Sequence, residues 1–411
     1  MNSEVVEAVD NRRLYVWLLI GSGVVASAQI GKAIISLPMI RTDLALGLDL
    51  AGLIVATFAT LGASFGIGAG VMVQRMGVRR ALIGGMGTLA IGNLIGAAAP
   101  NEFVLLAARI FEGVGFFGAV LTIPSMLSSI VARDDRDFVM AVWSAYMPTG
   151  IMLMLLLGPL LPMIGWRNLW LANALIAGGC GVLLALYGPA AAEREHEGSG
   201  KFFAEAANVV REPRCLILAF AFFAYSCQIF SMAFALPLLL TSAHRLTLGA
   251  AGLLSAAALA VSAIGHVSSG FMLRAGVPVW ANIAIAFGFF AVSGLAVYGG
   301  TLPPAAVALA AALALGVGGL APGALYAAAP QVAPSPRALP PTIGLLQQAS
   351  NLGQVVGPVV LGLWVEHFGW RAATAIVTPA AFVGLVAALA IRGAMQRPNT
   401  VAVQLNQLAE G

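Results

Sequence analysis

Long apolar runs of about 20 residues or more alternate with short polar breaks along nearly the whole chain. A bilayer core about 30 Å thick is crossed by about 20 residues of helix, so the pattern predicts twelve spans. Six fall at approximately 14–40, 51–73, 81–99, 103–131, 138–162 and 168–188, and six at 215–240, 250–273, 279–299, 304–328, 342–364 and 371–392. Residues 189–214 between the two sets include Glu193-Arg194-Glu195-His196-Glu197, have no apolar period, and read as a linker. The expected fold class is an all-α membrane protein with twelve transmembrane helices in two pseudo-symmetric six-helix bundles. Residues 1–188 form the first and 215–411, with a terminal tail, the second.

The two sets repeat each other. Gly165-Trp166-Arg167 returns as Gly369-Trp370-Arg371, Gly158-Pro159 as Gly357-Pro358, Gln29 as Gln228, Pro38 as Pro237 and Gly70 as Gly270. The spacings all lie between 199 and 204 residues, as one duplicated unit with small loop changes would give. Parallel duplication in a hydrophobic chain is a mark of transporters that rock two related halves around a shared site.

Composition sharpens this picture. Hydrophobic residues make up 60% of the 411 and charged ones 9%, against about 25% charged in a soluble domain. Such a surface must face lipid. The net charge of +4 therefore records orientation and gives no reason to expect nucleic acid. With the N-terminus inside, 15 of the 21 Lys and Arg residues fall on the cytoplasmic side, four outside and two (Lys32 and Arg109) within spans. Both termini are thus expected in the cytoplasm. Arg12-Arg13, the following apolar run and Ala26-Ser27-Ala28 imitate a cleavable signal, but the run continues to Ile40 and reads as an uncleaved first span. The three cysteines, Cys180, Cys215 and Cys227, read as small apolar helix residues rather than a disulfide set.

Certain motifs carry more specific information. The turn after the second span reads Gly70-Val-Met-Val-Gln74-Arg75-Met-Gly77-Val-Arg79-Arg80, and the fourth span contains Arg109-x-x-x-Gly113-x-Gly115. The first resembles the G-x-x-x-D-R-x-G-x-R-R signature of the major facilitator superfamily, and the second resembles another motif of that family. With the duplication and linker, the resemblance covers nearly the whole chain. It implies alternating access by two six-helix bundles, with Gly70, Gln74, Arg75, Gly77, Arg79 and Arg80 at an inner gate. Gln74 stands where the family has Asp, which puts a charged gate contact in doubt. Positive-inside topology accounts for Arg75, Arg79 and Arg80 equally well. Trp143 to Gly150 and Gln348 to Pro358 resemble the cyanate and nitroimidazole permease branch. The composition, rich in Ala, Gly and Arg with two lysines, suggests a bacterial inner membrane.

Ionisable and polar groups within spans are costly at depth and so point to function. Lys32 shares a helix face with Gln29 and Ser36, and Arg109 and Glu112 are three apart, close enough to meet. Two readings stand. In one, Arg109 takes Glu112 and leaves Lys32 free for an anionic solute; in the other, the charges are structural. Gln228, Tyr326, Gln347 and Asn351 are further candidates for solute contact. His266, with Arg109 and Glu112, is a candidate for proton coupling. The chain has no phosphate-binding loop and no metal-ligand cluster, so an enzyme, a cofactor and ATP as energy source are not expected.

The leading expectation is a secondary transporter, functional as a monomer, for a small anionic solute. A proton-driven exporter of drugs or metabolites is the rival, and a non-transporting sensor on the same fold is the third reading. Topology is open to direct test: reporter fusions at Arg12, within 189–214 and at Arg397 should all give cytoplasmic signals, and a periplasmic signal at the linker would break the six-plus-six scheme.

Overall fold

The computed structural model describes residues 3–46, 48–188 and 200–396, all helices and connecting turns. The first half runs α1 (Ser3–Asp43), α2 (Leu48–Met76), α3 (Val78–Ala97) and α4 (Glu102–Ile130). Its fifth span is assembled from α5 (Arg133–Ser144), α6 (Tyr146–Leu156) and the short α7 (Leu161–Ile164), and α8 (Trp166–Tyr187) follows. The second half runs α10 (Pro213–Ser242), α11 (Leu248–Arg274) and α12 (Val279–Tyr298), then α13 (Pro304–Gly318) with α14 (Leu320–Val332), α15 (Leu339–Phe368) and α16 (Thr374–Gln396). Ten of these segments are long and apolar enough to cross a bilayer. The other two are long enough but more polar: α3 opens on Val78-Arg79-Arg80, and α15 carries Gln347, Gln348, Ser350, Asn351 and Gln354.

The stretch expected to be linker contains a helix, α9 (Gly200–Arg211), which packs against α2, α10 and α15. Ala206 and Val209 supply its buried side. The acidic run Glu193 to Glu197 and Arg397 lie outside the described residues.

The duplication extends to backbone conformation. Gly77 and Gly276 (φ 82° and 87°), and Gly165 and Gly369 (φ 76° and 78°), occupy equivalent left-handed turns, where glycine has no Cβ to strain. After the second pair of turns, Trp166 Nε1 donates to Asp43 at the end of α1, and Trp370 Nε1 donates to Ser242 at the end of α10. Gln29 Nε2 ties α1 to Asn173 of α8, while Gln228 Nε2 ties α10 to the Val377 carbonyl of α16. One structural unit is therefore present twice, with different partners filling the same ties.

Within each half, glycine sets how closely helices approach. A Cβ on Gly85 of α3 would come within 2.9 Å of the Gly115 carbonyl of α4, and one on Gly115 within 2.6 Å of the Gly85 carbonyl. Between the halves, α2 packs on α15 and α5 packs on α11 and α14. The stripe Gly62, Gly66 and Gly70 lies in this seam, against Asn351, Gly344 and Pro340 respectively. It is thus used inside the molecule. Replacing Gly115 with Leu should destabilise the fold by about 1–3 kcal/mol through overpacking, seen as a lower melting temperature. Unchanged melting would mean that α3 and α4 are held less closely than this.

Candidate functional site

Two polar arrays lie at membrane depth. The first is inside the N-terminal half. Lys32, Arg109 and Glu112 are each 0% exposed, and the Glu112 carboxylate is shared: Oε1 accepts from Lys32 Nζ at 2.7 Å, and Oε2 accepts from Arg109 Nη1. Lys32 also donates to Gln29 Oε1 at 2.8 Å and to Asn93 of α3, and its ammonium lies 4.3 Å from the Trp170 ring centroid of α8. Arg109 donates to the Ile54 carbonyl of α2 and the Gln29 carbonyl of α1, and lies over Phe58.

This corrects one expectation. Arg109 does not occupy Glu112 alone, and Lys32 is not left free. A carboxylate has two oxygens with about four lone-pair sites, so one side chain serves both cations. The physical reason is convergence of α1, α3, α4 and α8 around a dry point, where an unpaired ammonium would be far more costly than a shared ion pair. The cluster still sums to a single positive charge. Ser36, also on α1, is buried, and its hydroxyl has no hydrogen-bond partner among the described residues.

The second array lies where the halves meet, at two interrupted helices. Helix α6 has Pro148 at its third position and α14 has Pro322 at its third. Each proline lacks the N–H that would bond four residues back, to Ser144 and Gly318, where the preceding helix ends. His266 of α11 sits against both breaks. Its Nδ1 is 3.0 Å from Ser144 Oγ, and its backbone lies so near Gly319 that a Cβ there would approach His266 N to 2.8 Å. Beside it, Tyr326 donates to Gln347 Oε1 at 2.6 Å, and Gln347 Nε2 donates to the Tyr146 hydroxyl at 3.3 Å. Trp143 stacks on Tyr146, with ring centroids 4.3 Å apart and planes 9° from parallel. Asn351 donates to the Gln347 carbonyl at 2.6 Å and packs on Gly62.

Of the residues singled out from sequence, Tyr326, Gln347 and Asn351 are joined by hydrogen bonds in this second array, and His266 meets Ser144, two residues from Tyr146. Lys32, Gln29, Arg109 and Glu112 form the first, and Gln228 stands apart as the α10–α16 tie. Ser144, Tyr146 and Trp143 were missed as site residues. Their signal was present: Trp143-Ser144-Ala145-Tyr146-Met147-Pro148 is a polar and aromatic patch closed by proline within an apolar run. Discontinuous helices at mid-membrane are where transporters place substrate groups.

The residues expected at an inner gate lie around the turn between α2 and α3, at one end of the seam. Gln74 Nε2 donates to the Arg337 carbonyl at 2.9 Å, while Arg79 donates to the Ala185 carbonyl at the end of α8, within its own half. Gly70 packs against Pro340 and Pro341, and Gly77 makes the turn that carries Arg75 and Arg80. Arg274 of α11 pairs with Asp135 of α5, and Gln331 of α14 with Asp137 of α5. The Arg274–Asp135 partners are 48% and 54% exposed, so this pair contributes about 0–1 kcal/mol. No group of three His, Cys, Asp or Glu among the described residues is placed to hold a metal.

The Major Facilitator Superfamily family model matches residues 19–338. The chain belongs to that superfamily. It is accordingly a multi-pass membrane transporter and not an enzyme. It is 30% identical over 172 residues to the multidrug transporter mfsC of Aspergillus fumigatus, covering 41% of this chain and 33% of that one. It is 30% identical over 131 residues to the gentisate transporter of Corynebacterium glutamicum, covering 28% and 29%. The aligned stretch thus spans about a third of each relative. Among solved structures, the human organic anion transporter MFSD10 (TETRAN) superposes with TM-score 0.76 at 15% identity, over 92% of this chain and 99% of the other. FucP in the outward conformation gives 0.76 at 14% identity, over 94% and 100%. At such identities the likeness concerns the fold.

The shared carboxylate yields a sharp prediction. Glu112→Gln leaves two buried cations without a counter-charge, whereas Lys32→Gln leaves the neutral Arg109–Glu112 pair intact. The first should be destabilising by about 3–5 kcal/mol and the second by clearly less, read from thermal unfolding in detergent. Equal losses, or the reverse order, would contradict the shared-carboxylate geometry.

Proposed function

We propose that the protein moves a small organic anion, aromatic in part, across a bacterial inner membrane by alternating access, as a monomer with both termini in the cytoplasm. Residues 1–188 and 215–411 act as the rocking bodies, joined through 189–214. The observation that carries this reading is the buried Lys32–Glu112–Arg109 cluster, with its single excess positive charge, close to a neutral aromatic and amide array. Ser27 donates to the Tyr146 carbonyl, and Lys32 follows five residues later on α1, about 8 Å along the helix. One unit charge at about 10 Å, with an effective dielectric near 20, is worth about 1.5–2 kcal/mol. That favours an anion over its neutral analogue by roughly ten- to thirty-fold.

Tyr146, Tyr326, Gln347 and Asn351 offer hydrogen-bonding groups and ring faces for the solute, and Trp143 braces Tyr146. Lys32 with Gln29 acts on the solute through its field rather than by contact; Ser36 and Gln228 have subsidiary, packing roles. The name of the gentisate transporter, a relative over part of the chain, denotes an aromatic carboxylate and supports the same class. The cyanate and nitroimidazole permease branch stays within this reading on the strength of Trp143–Gly150 and Gln348–Pro358. Arg109, Glu112 and His266 are the ionisable groups within the spans to which this reading assigns proton coupling.

A second reading, export of drugs or metabolites, is favoured by the name of the multidrug relative and by the uncharged character of the mid-seam array. The two readings separate in one experiment. Purified protein should be stabilised against heat by aromatic carboxylates such as gentisate and benzoate, and much less by the matching amides or by lipophilic cations. Tyr146→Phe should weaken carboxylate binding about two- to ten-fold through one lost hydrogen bond, and Lys32→Gln by about ten-fold through the lost charge. Stabilisation by lipophilic cations with none by carboxylates would overturn the anion reading in favour of export.

A further inference from the structure

Gln348 of α15 reaches across the seam into the backbone of α2. Its Nε2 donates to the Ala63 carbonyl at 2.9 Å, and its Oε1 accepts from the Ile67 N–H at 3.2 Å. Ala63 and Ile67 are four residues apart, so these are the two ends of one rung of the α2 hydrogen-bond ladder. The side chain therefore docks on a bond that α2 would otherwise make wholly by itself. A primary carboxamide offers a donor and an acceptor on one edge, and few side chains can serve both ends at once.

Glycine makes this approach possible. A Cβ on Gly66, which lies between the two rung residues, would meet the Gly344 carbonyl at 2.6 Å and Gln348 Cβ at 2.7 Å. A Cβ on Gly344 would in turn meet the Gly66 backbone. The same crossing in the other seam contact is built differently, because His266 occupies the position equivalent to Gly66 and meets Ser144 side chain to side chain.

We propose that Gln348 is the latch of the transport cycle: its carboxamide holds the halves together at the α2–α15 crossing, one residue from the mid-seam array, and when they part the Ala63–Ile67 rung remains as ordinary helix. The latch rests on the alternating-access reading but not on the identity of the solute. Both states leave the α2 backbone groups satisfied, which matters in a medium that offers no water to them. The released carboxamide is exposed to the space that opens between the halves. The two states then differ by little, as a cycling switch requires; a much stronger tie would trap one state.

The test uses the full chain in nanodiscs, without added solute, and with Cys180, Cys215 and Cys227 replaced. Spin labels at Met76 on the end of α2 and Ala275 after α11, both exposed, report how far the halves stand apart. Gln348→Leu removes both hydrogen bonds, and Gln348→Glu keeps an acceptor for Ile67 N–H while setting a carboxylate against the Ala63 carbonyl. Each should raise the ratio of parted to closed conformers, by about ten-fold for Leu, with the melting temperature within a few degrees of the parent. Gln348→Asn, one methylene shorter, should behave like Leu, which a merely bulky or polar packing role would not predict. Gly66→Ala should part the halves by crowding alone and shows what the labels read in that state. Distances that shift with Gly66→Ala but with no Gln348 substitution would overturn the latch. A single fixed distance in every variant would overturn alternating access itself.

Discussion

Contact between helices in this protein is governed by a medium that gives no reward for hiding one apolar surface against another, since lipid is as apolar as leucine. Association must come from close packing and from hydrogen bonds that have nowhere else to go. The 48 glycines answer the first need, and the buried amides, hydroxyls and shared charges answer the second. Gly85 against Gly115 brings α3 and α4 backbone to backbone, and Gly66 against Gly344 does so across the seam. Side chains that reach between helices, such as Gln29 to Asn173 and Gln228 to Val377, then fix which helices may be neighbours.

The same medium explains why the ionic cluster is built around one acid. Three ionisable groups with no exposed surface are stable together only if every cation touches the carboxylate, and Glu112 is placed to touch both. Asn93 and Gln29 contribute neutral acceptors for the remaining ammonium protons, which lowers the cost of burial without cancelling the charge. Under the proposed function, this residual positive charge, buried within the first half, would act on the solute through its field and not by contact. The free lysine of one sequence-based reading is thereby replaced by a lysine bound to the shared carboxylate.

Much of the fold was legible because each signal had a long range. Twelve apolar runs and a repeat of some 200 residues need no knowledge of contacts, and the Gly-Trp-Arg pair marked equivalent turns that share the same glycine conformation. The breaks at Ala145 and Gly319 were less visible, because helix periodicity continues through them, and only the prolines three residues on give them away. The helix α9 was read as a featureless linker because its neighbours in sequence are charged; its apolar side becomes visible only against α2 and α15. For the site, type of residue was informative and pairing was not. Lys32, Arg109 and Glu112 were all identifiable as costly within a span, but which cation the acid would serve depended on the convergence of α1, α3, α4 and α8. Gln348 entered only as the start of a family-like stretch, because adjacent residues on a helix face different ways, and the structure turns Gln347 to Tyr146 and Tyr326 and Gln348 to the α2 backbone.

The seam's two crossings are built from different kinds of contact. Where α5 meets α11 and α14, the contacts are between side chains: His266 with Ser144, Arg274 with Asp135, and Gln331 with Asp137. The Arg274–Asp135 pair is solvated and weak, and is readily remade with water. Where α2 meets α15, backbone groups are engaged at both ends of the contact, at Ala63 and Ile67 by Gln348 and at the Arg337 carbonyl by Gln74. Gln74 donates there, which an aspartate could not do, so an acid at this position would face a carbonyl oxygen and repel it. The departure of this chain from the family signature is therefore consistent with its own partner: a neutral donor fits an acceptor. Both ties on this side are amide to backbone, carry no charge, and so are insensitive to salt and membrane potential. The mid-seam array lies next to this crossing, Gln347 being bonded to Tyr146 of the opposite half. In the proposed cycle, a solute that draws Gln347 away from Tyr146 would remove a cross-seam bond one residue from the Gln348 contact, giving binding a direct physical route to the proposed latch.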